Sequence, residues 1–257
     1  MTIHGQLTSG AAAEGSPRSA VSATPVQRPS LLLLGTEPLR AAIELMRQAL
    51  ASPSSPIAGD GHPVVIFPGL GAGAVSLTAL LKHCRGLGYE AFDWGQGVNS
   101  GPRGDFDIWL RHLADQTIEV LADYPQPATL IGWSLGGVYA RELAKLLAPR
   151  IRQVITIGTP FNVDADYSHA GWLFRLLSGS KADIDPSLGK RFRTPPPVPT
   201  TSIYSRSDGI VAWQTCCHGE QRDLVQDIEI KGSHLGMGWN PEVMNVVTDS
   251  LLQHGVH

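Results

Sequence analysis

The feature that most restricts the fold is a serine framed by glycines, Gly132-Trp133-Ser134-Leu135-Gly136, set between an apolar run at 128–131 and a segment of helical spacing. Where a chain passes directly from strand to helix, the residues two before and two after the central one crowd each other. Glycine lacks the side chain that would clash there. The central serine is thereby lifted clear with its hydroxyl exposed, and Gly137 eases the approach of the following helix to the strand. Such a turn needs a sheet to supply the strand and a helix to leave it, which points to an α/β architecture.

The rest of the chain supplies that architecture. Short β-branched runs alternate with longer helical patterns, as expected for βαβ units and a parallel sheet. The spacing predicts strands at 64–67, 89–93, 128–131, 154–157, 201–204 and 225–230. Helices are predicted around Leu77, Leu80 and Leu81, from Ile108 to Leu121, from Val138 to Leu147, and from Pro241, which suits a first turn, to Leu251. Ahead of them, Thr36 and Pro38 mark a helix start, and Leu39, Ile43, Met46 and Leu50 recur as the face of an accessory helix packed on the domain.

Residues 1–30 hold few large apolar side chains and no period, so they are expected to form a disordered tail. Residues 31–257 are expected to form one domain, which a chain of 257 residues with 42% apolar composition can fill with a single core. The stretch 161–199 interrupts the alternation and carries Trp172, Leu173, Phe174, Leu176 and Leu177. Long connections of this kind serve as caps or lids, and a helix that completes the core is the other reading.

Twenty Lys and Arg against 23 Asp and Glu leave a net charge of −3, which offers no positive field for nucleic acid. No apolar run approaches the roughly 20 residues of a spanning helix, and the start lacks a signal-peptide pattern, so a cytoplasmic address is expected. Three cysteines, Cys84, Cys216 and Cys217, fit reduced structural thiols, with a bridge from Cys84 to the adjacent pair left open. No metal-ligand spacing and no cofactor motif is present.

A serine hydroxyl is a weak nucleophile until a base takes its proton, so Ser134 demands a histidine and a carboxylate to orient it. Of nine histidines, His234 alone follows the last predicted strand, in the loop after Lys231-Gly232-Ser233. The other eight, His62, His83 and His218 among them, read as surface or tail residues. Asp208, in Ser205-Arg206-Ser207-Asp208-Gly209, leaves the strand before it and is the candidate acid. Asp164 and Asp166 are the alternatives, and Asp93 reads as structural because it precedes the serine. An oxyanion needs two fixed donors. The candidates are the backbone N–H of Leu135, at a helix start, and that of Leu70, in the loop Phe67-Pro68-Gly69-Leu70-Gly71. That loop lacks the Lys and Ser/Thr of a phosphate cradle. Trp133, Trp172 and Phe174 are the candidate lining of a substrate pocket.

In these motifs the chain resembles the α/β-hydrolase superfamily across about 63–252, and within it the bacterial esterases and lipases. The resemblance implies an α/β-hydrolase fold with a reduced, mostly parallel sheet of about six strands, helices on both faces and a small cap over 161–199. It implies a Ser134-Asp208-His234 triad, an oxyanion hole at Leu70 and Leu135, and a small-molecule or lipid-like ester as substrate. Two departures stand out: Pro68-Gly69 replaces the His-Gly common in lipases, and a helix precedes the domain where the full fold opens with two antiparallel strands. The Gly-Trp-Ser-Leu-Gly-Gly stretch also resembles that of carboxyl-methylesterases acting on acyl-carrier conjugates. Ester hydrolysis is the leading expectation. Thioester cleavage or acyl transfer by the same residues, and a catalytically silent binding protein, are the alternatives.

Overall fold

In the computed structural model, the described residues are 26–50, 59–162, 186–219 and 223–253. Six strands, β1 (Pro63–Phe67), β2 (Glu90–Asp93), β3 (Ala128–Trp133), β4 (Ile151–Ile157), β5 (Thr200–Tyr204) and β6 (Val225–Glu229), form one sheet in the order β2-β1-β3-β4-β5-β6. Every pairing is parallel. The helices are α1 (Leu31–Leu50), α2 (Thr78–Gly86), α3 (Phe106–Val120), α4 (Leu135–Leu146), α5 (Pro186–Arg193) and α6 (Pro241–Gln253).

Alternation along the strands builds two apolar layers. Val65, Phe67, Leu130 and Val154 face α3 and α4, meeting Leu110, Leu113, Val138, Tyr139 and Leu143. Val64, Ile66, Ile131, Ile155 and Ile203 face α2 and α6, meeting Leu80, Cys84, Val243 and Val247. Helices therefore cover both faces, and the central strands β1 and β3 are buried along their whole length. Asp105 caps α3 by accepting from the Ile108 N–H at 2.9 Å, and Asn240 does the same for α6 through Glu242 N–H at 2.8 Å.

The strand order reverses beside β1: the chain goes from β1 outward to β2, then returns to place β3 on the other side of β1. The loops leaving the carboxyl ends of two such strands diverge to opposite faces and leave a crevice between them. The loop after β1 carries Gly69 and Leu70, and the turn after β3 carries Ser134.

Three expectations need correction. The accessory helix begins at Leu31 rather than at Thr36, because Ser30 caps it through the Leu33 N–H at 3.2 Å. Pro38 lies inside the helix. The helix also packs with its other face: Leu39, Met46 and Leu50 are exposed, whereas Glu37, Ala41 and Glu44 are buried. His62, expected at the surface, is wholly buried, with Nδ1 2.5 Å from Asp60 and Nε2 2.8 Å from the Thr129 hydroxyl; His83 and His218 are half-buried. The three cysteines are buried and unbridged.

Residues 163–185 of the expected cap lie outside the described residues, and with them Trp172 and Phe174. The described remainder of that stretch completes the core. Phe192 of α5 is buried edge-on against Phe106 at 5.9 Å, and Arg191 pairs with Glu142 and Asp107. Phe161 is buried beneath the Arg141 guanidinium, 3.8 Å from its ring centre. Among the described residues no helix is long and apolar enough to cross a membrane.

Candidate active site

Ser134 adopts φ 53° and ψ −122° and is the only non-glycine residue with positive φ among the described residues. For a residue with a Cβ this conformation is costly, and it persists only where the surroundings impose it. Here they do. Ser134 N–H donates to the Ile157 carbonyl at 2.8 Å, which ties the turn to β4. A Cβ on Gly132 would stand 2.3 Å from the Gly137 Cα, and one on Gly136 would stand 2.3 Å from the Phe67 carbonyl oxygen. The two glycines are therefore demanded by backbone packing on both sides of the serine.

The loops after β5 and β6 bring two partners to it. His234 Nε2 lies 3.1 Å from the Ser134 hydroxyl, and His234 Nδ1 lies 2.6 Å from Asp208 Oδ2. The second oxygen of Asp208 accepts the N–H groups of Ile210 and Val211 at 2.8 and 2.7 Å. All three side chains are buried to within a few per cent, Ser134 being 7% exposed. Burial disfavours an imidazolium at His234. The charge of Asp208, its hydrogen bond and the charge of Glu37 together outweigh that cost and hold the pKa of His234 above its ordinary value.

Gly69 lies against the serine, since a Cβ there would come within 3.2 Å of Ser134 Cβ. Leu70 follows on the rim of the same crevice. Asn99, wholly buried and missed by the sequence reading, fixes this loop. Its side chain donates to the Pro68 carbonyl at 2.8 Å, while its backbone bonds Gly71 N–H and the Ala72 carbonyl, both at 2.8 Å. The one signal for it was a polar residue in the glycine-rich run Gly95-Gln96-Gly97-Val98-Asn99. Leu135 opens α4, and as its first residue has no intrahelical acceptor for its N–H.

The crevice is a cavity of about 750 Å³ over Ser134 and His234, walled by Ala41, Leu70, Trp133, Ile210, Leu235 and Trp239. Trp133 turns its indole N–H to the His234 carbonyl at 3.3 Å and meets Trp239 edge-on at 6.2 Å. Of the expected pocket residues Trp133 therefore lies at the site. Asp164 and Asp166, the alternative acids, lie outside the described residues, and Asp93 accepts from Gly95 N–H at 2.7 Å. Among the described residues no cluster of three or more His, Cys, Asp or Glu side chains is grouped to hold a metal ion.

A second hydroxyl–imidazole–carboxylate row, Thr129-His62-Asp60, lies at the amino ends of β1 and β3, the opposite end of the sheet from Ser134. Its Thr129 is wholly buried in β3, so no substrate reaches it. What distinguishes Ser134 is its opening into a cavity.

A six-stranded parallel sheet with helices on both faces, in the order β2-β1-β3-β4-β5-β6, is the α/β-hydrolase fold. The chain matches the model of the alpha/beta hydrolase family over residues 64–238, and it belongs to that family. It is 28% identical over 135 residues to a pimeloyl-[acyl-carrier protein] methyl ester esterase of Shewanella woodyi, covering 51% of this chain and 50% of that one. To the protein so named in Aliivibrio fischeri MJ11 it is 32% identical over 105 residues, 39% of this chain and 38% of that one. The chain thus spans half the length or less of these curated relatives. Among solved structures, Aspergillus fumigatus lipase B superposes with a TM-score of 0.59 at 17% identity, over 79% of this chain and 56% of that one. The Paleococcus ferrophilus monoacylglycerol lipase superposes with a TM-score of 0.57 at 16% identity, over 77% and 96%. At such identities the likeness concerns the fold.

Proposed function

We propose that the chain hydrolyses a carboxylic ester through an acyl-enzyme on Ser134. The observation that carries this reading is the continuous contact from Asp208 through His234 to Ser134, at 2.6 and 3.1 Å, with the serine opening into an apolar cavity. His234 Nε2 takes the hydroxyl proton as the oxygen attacks the ester carbonyl, and the imidazolium that forms is stabilised by Asp208. The backbone N–H groups of Leu70 and Leu135 receive the oxyanion, helped by the positive end of α4. The proton on His234 then passes to the departing alkoxide. Water, deprotonated by the same imidazole, releases the acid and restores the serine. Neither a metal nor a redox group enters these steps.

The apolar walls suit the acyl or alcohol part of a small or lipid-like ester. Ester cleavage is favoured over thioester cleavage or acyl transfer because the curated relatives are named for the methyl ester they act on. Hydrolysis of a short-chain p-nitrophenyl ester and labelling of Ser134 by a fluorophosphonate test the proposal. Ser134→Ala should abolish labelling and lower kcat on the order of 10⁶-fold, as in comparable triads. Turnover within tenfold of wild type in that variant would exclude Ser134 as nucleophile.

A further inference from the structure

The buried face of α1 carries two carboxylates, and both are spent on the loop that bears His234. Three successive backbone N–H groups point to them. Ser233 N–H donates to Glu44 at 2.7 Å, His234 N–H to Glu37 Oε1 at 3.1 Å, and Leu235 N–H to Glu37 Oε2 at 3.0 Å. Glu37 Oε1 also accepts the N–H of Gly209, next to Asp208, at 2.7 Å. One oxygen atom therefore bridges the backbone of the acid loop to that of the base loop. Arg40 pairs with Glu37 at 2.7 Å and donates to the Ser207 carbonyl at 2.6 Å, adding a second tie to the acid loop.

A carboxylate 1% exposed is expensive to bury, and this one sits where its acceptors match loop donors that no strand or helix would satisfy. The loops hold the imidazole against both the serine and the aspartate, so their spacing sets both distances. Misplacing a reacting group by about 1 Å costs on the order of 100-fold in rate.

Resting on the triad reading above, we propose that Glu37 is a positioning residue for the site: from α1, it clamps the Asp208 and His234 loops together and fixes the contact of His234 with Ser134. Glu44 supports the same loop one residue earlier, and its Oε2 accepts from Asn240 at 3.2 Å. The charged or titratable groups around His234 and Glu37 are Asp208, itself neighboured by Cys216, from the acid-loop side and Arg40 and Glu44 from α1. The Cys216 thiol is held well above its usual range by burial and by Asp208.

Glu37→Gln keeps the shape but turns one acceptor into a donor facing an N–H, and it removes a negative charge that favours the imidazolium. The full-length variant should stay folded, with kcat on a p-nitrophenyl ester reduced roughly 10- to 100-fold, KM within about twofold, and fluorophosphonate labelling slowed in proportion. Because the lost charge lowers the pKa of His234, the acid limb of kcat/KM should move to lower pH. Glu37→Asp, which retains the charge on a shorter arm, should lose kcat without moving that limb. A Glu37→Gln protein with wild-type kcat and limb, or one that loses only thermal stability, overturns the proposal. If both variants fail to fold, Glu37 is a folding determinant and the kinetic role is overturned. A wild-type protein that does not label at Ser134 overturns instead the triad reading itself.

Discussion

At Asp208 the two carboxylate oxygens have separate duties. Oδ1 receives two backbone N–H groups, and Oδ2 faces His234 Nδ1. In Asp208→Asn the amide oxygen must stay on the side of the two N–H groups, which turns the NH₂ toward the imidazole. Nδ1 then has to accept, Nε2 carries the proton, and Nε2 can no longer take one from Ser134. With the shape unchanged, kcat should fall about 10⁴-fold at neutral pH while Tm moves little, the drop that the same change causes in the serine-protease triad. A variant within tenfold of wild type would remove Asp208 from the relay. Ser134 and His234 are singled out in the sequence because each leaves the carboxyl end of a recognisable strand in a distinctive loop, whereas Asp208 shares that position with Asp164 and Asp166 and is not separated from them by spacing alone. Asn99 and Glu37 are not singled out at all, since their importance lies in which distant N–H or carbonyl they meet, and no local spacing encodes that.

Among the elements, the inner strands β1, β3, β4 and β5 are legible because buried parallel strands are written as short β-branched runs, whereas the half-exposed edge strands β2 and β6 are legible from their place in the alternation with helices. Helix α1 is legible as a helix but not in its orientation. Its sequence offers two stripes, Leu39-Ile43-Met46-Leu50 and Glu37-Ala41-Glu44, and hydrophobic patterning selects the first although the protein buries the second. The reason is the loop donors, which reward carboxylates over leucines. Two glycines test this seating with opposite signs. A Cβ at Gly209 would stand 2.5 Å from the Leu33 carbonyl carbon, backbone against backbone, so Gly209→Ala must push α1 off the acid loop. Overpacking of that kind costs about 1–3 kcal/mol, and kcat should fall with Tm as the Glu37 contact is stretched. At Gly35, inside α1, an added methyl meets nothing within 4 Å. Gly35→Ala should leave kcat unchanged and stabilise by roughly 0.5–1 kcal/mol through helix propensity. Thermal denaturation of the two variants side by side decides it; a Gly209→Ala protein as stable and active as wild type would mean that α1 is not seated on that loop.

Across the whole molecule, three buried or half-buried histidines link folding to pH in opposing directions. Burial lowers the pKa of His62, its hydrogen bond to Asp60 only partly restoring it, and burial likewise lowers that of His83. In the unfolded chain both take up a proton near the ordinary value of about 6.5, whereas the folded protein resists it. Their contribution to stability is present above that pH and lost as pH falls through it toward the depressed folded values. His234 works the other way: its folded pKa is raised, so its contribution is full below about 6.5 and is lost as pH rises through the folded value. With shifts of comparable size, two groups oppose one and Tm falls as the medium is taken from mildly alkaline to mildly acidic, by about 2–4 °C for each kcal/mol lost in a domain of this size. His62→Gln should lower Tm at every pH, because Asp60 and Thr129 lose part of their partner, yet flatten the acid slope by removing one titrating group. His234→Gln should steepen that slope, since it removes the group that opposes it. Calorimetric scans across this pH range, made on wild type and both variants, test the assignment; slopes that change in the reverse order would show that other groups govern the acid stability of the fold.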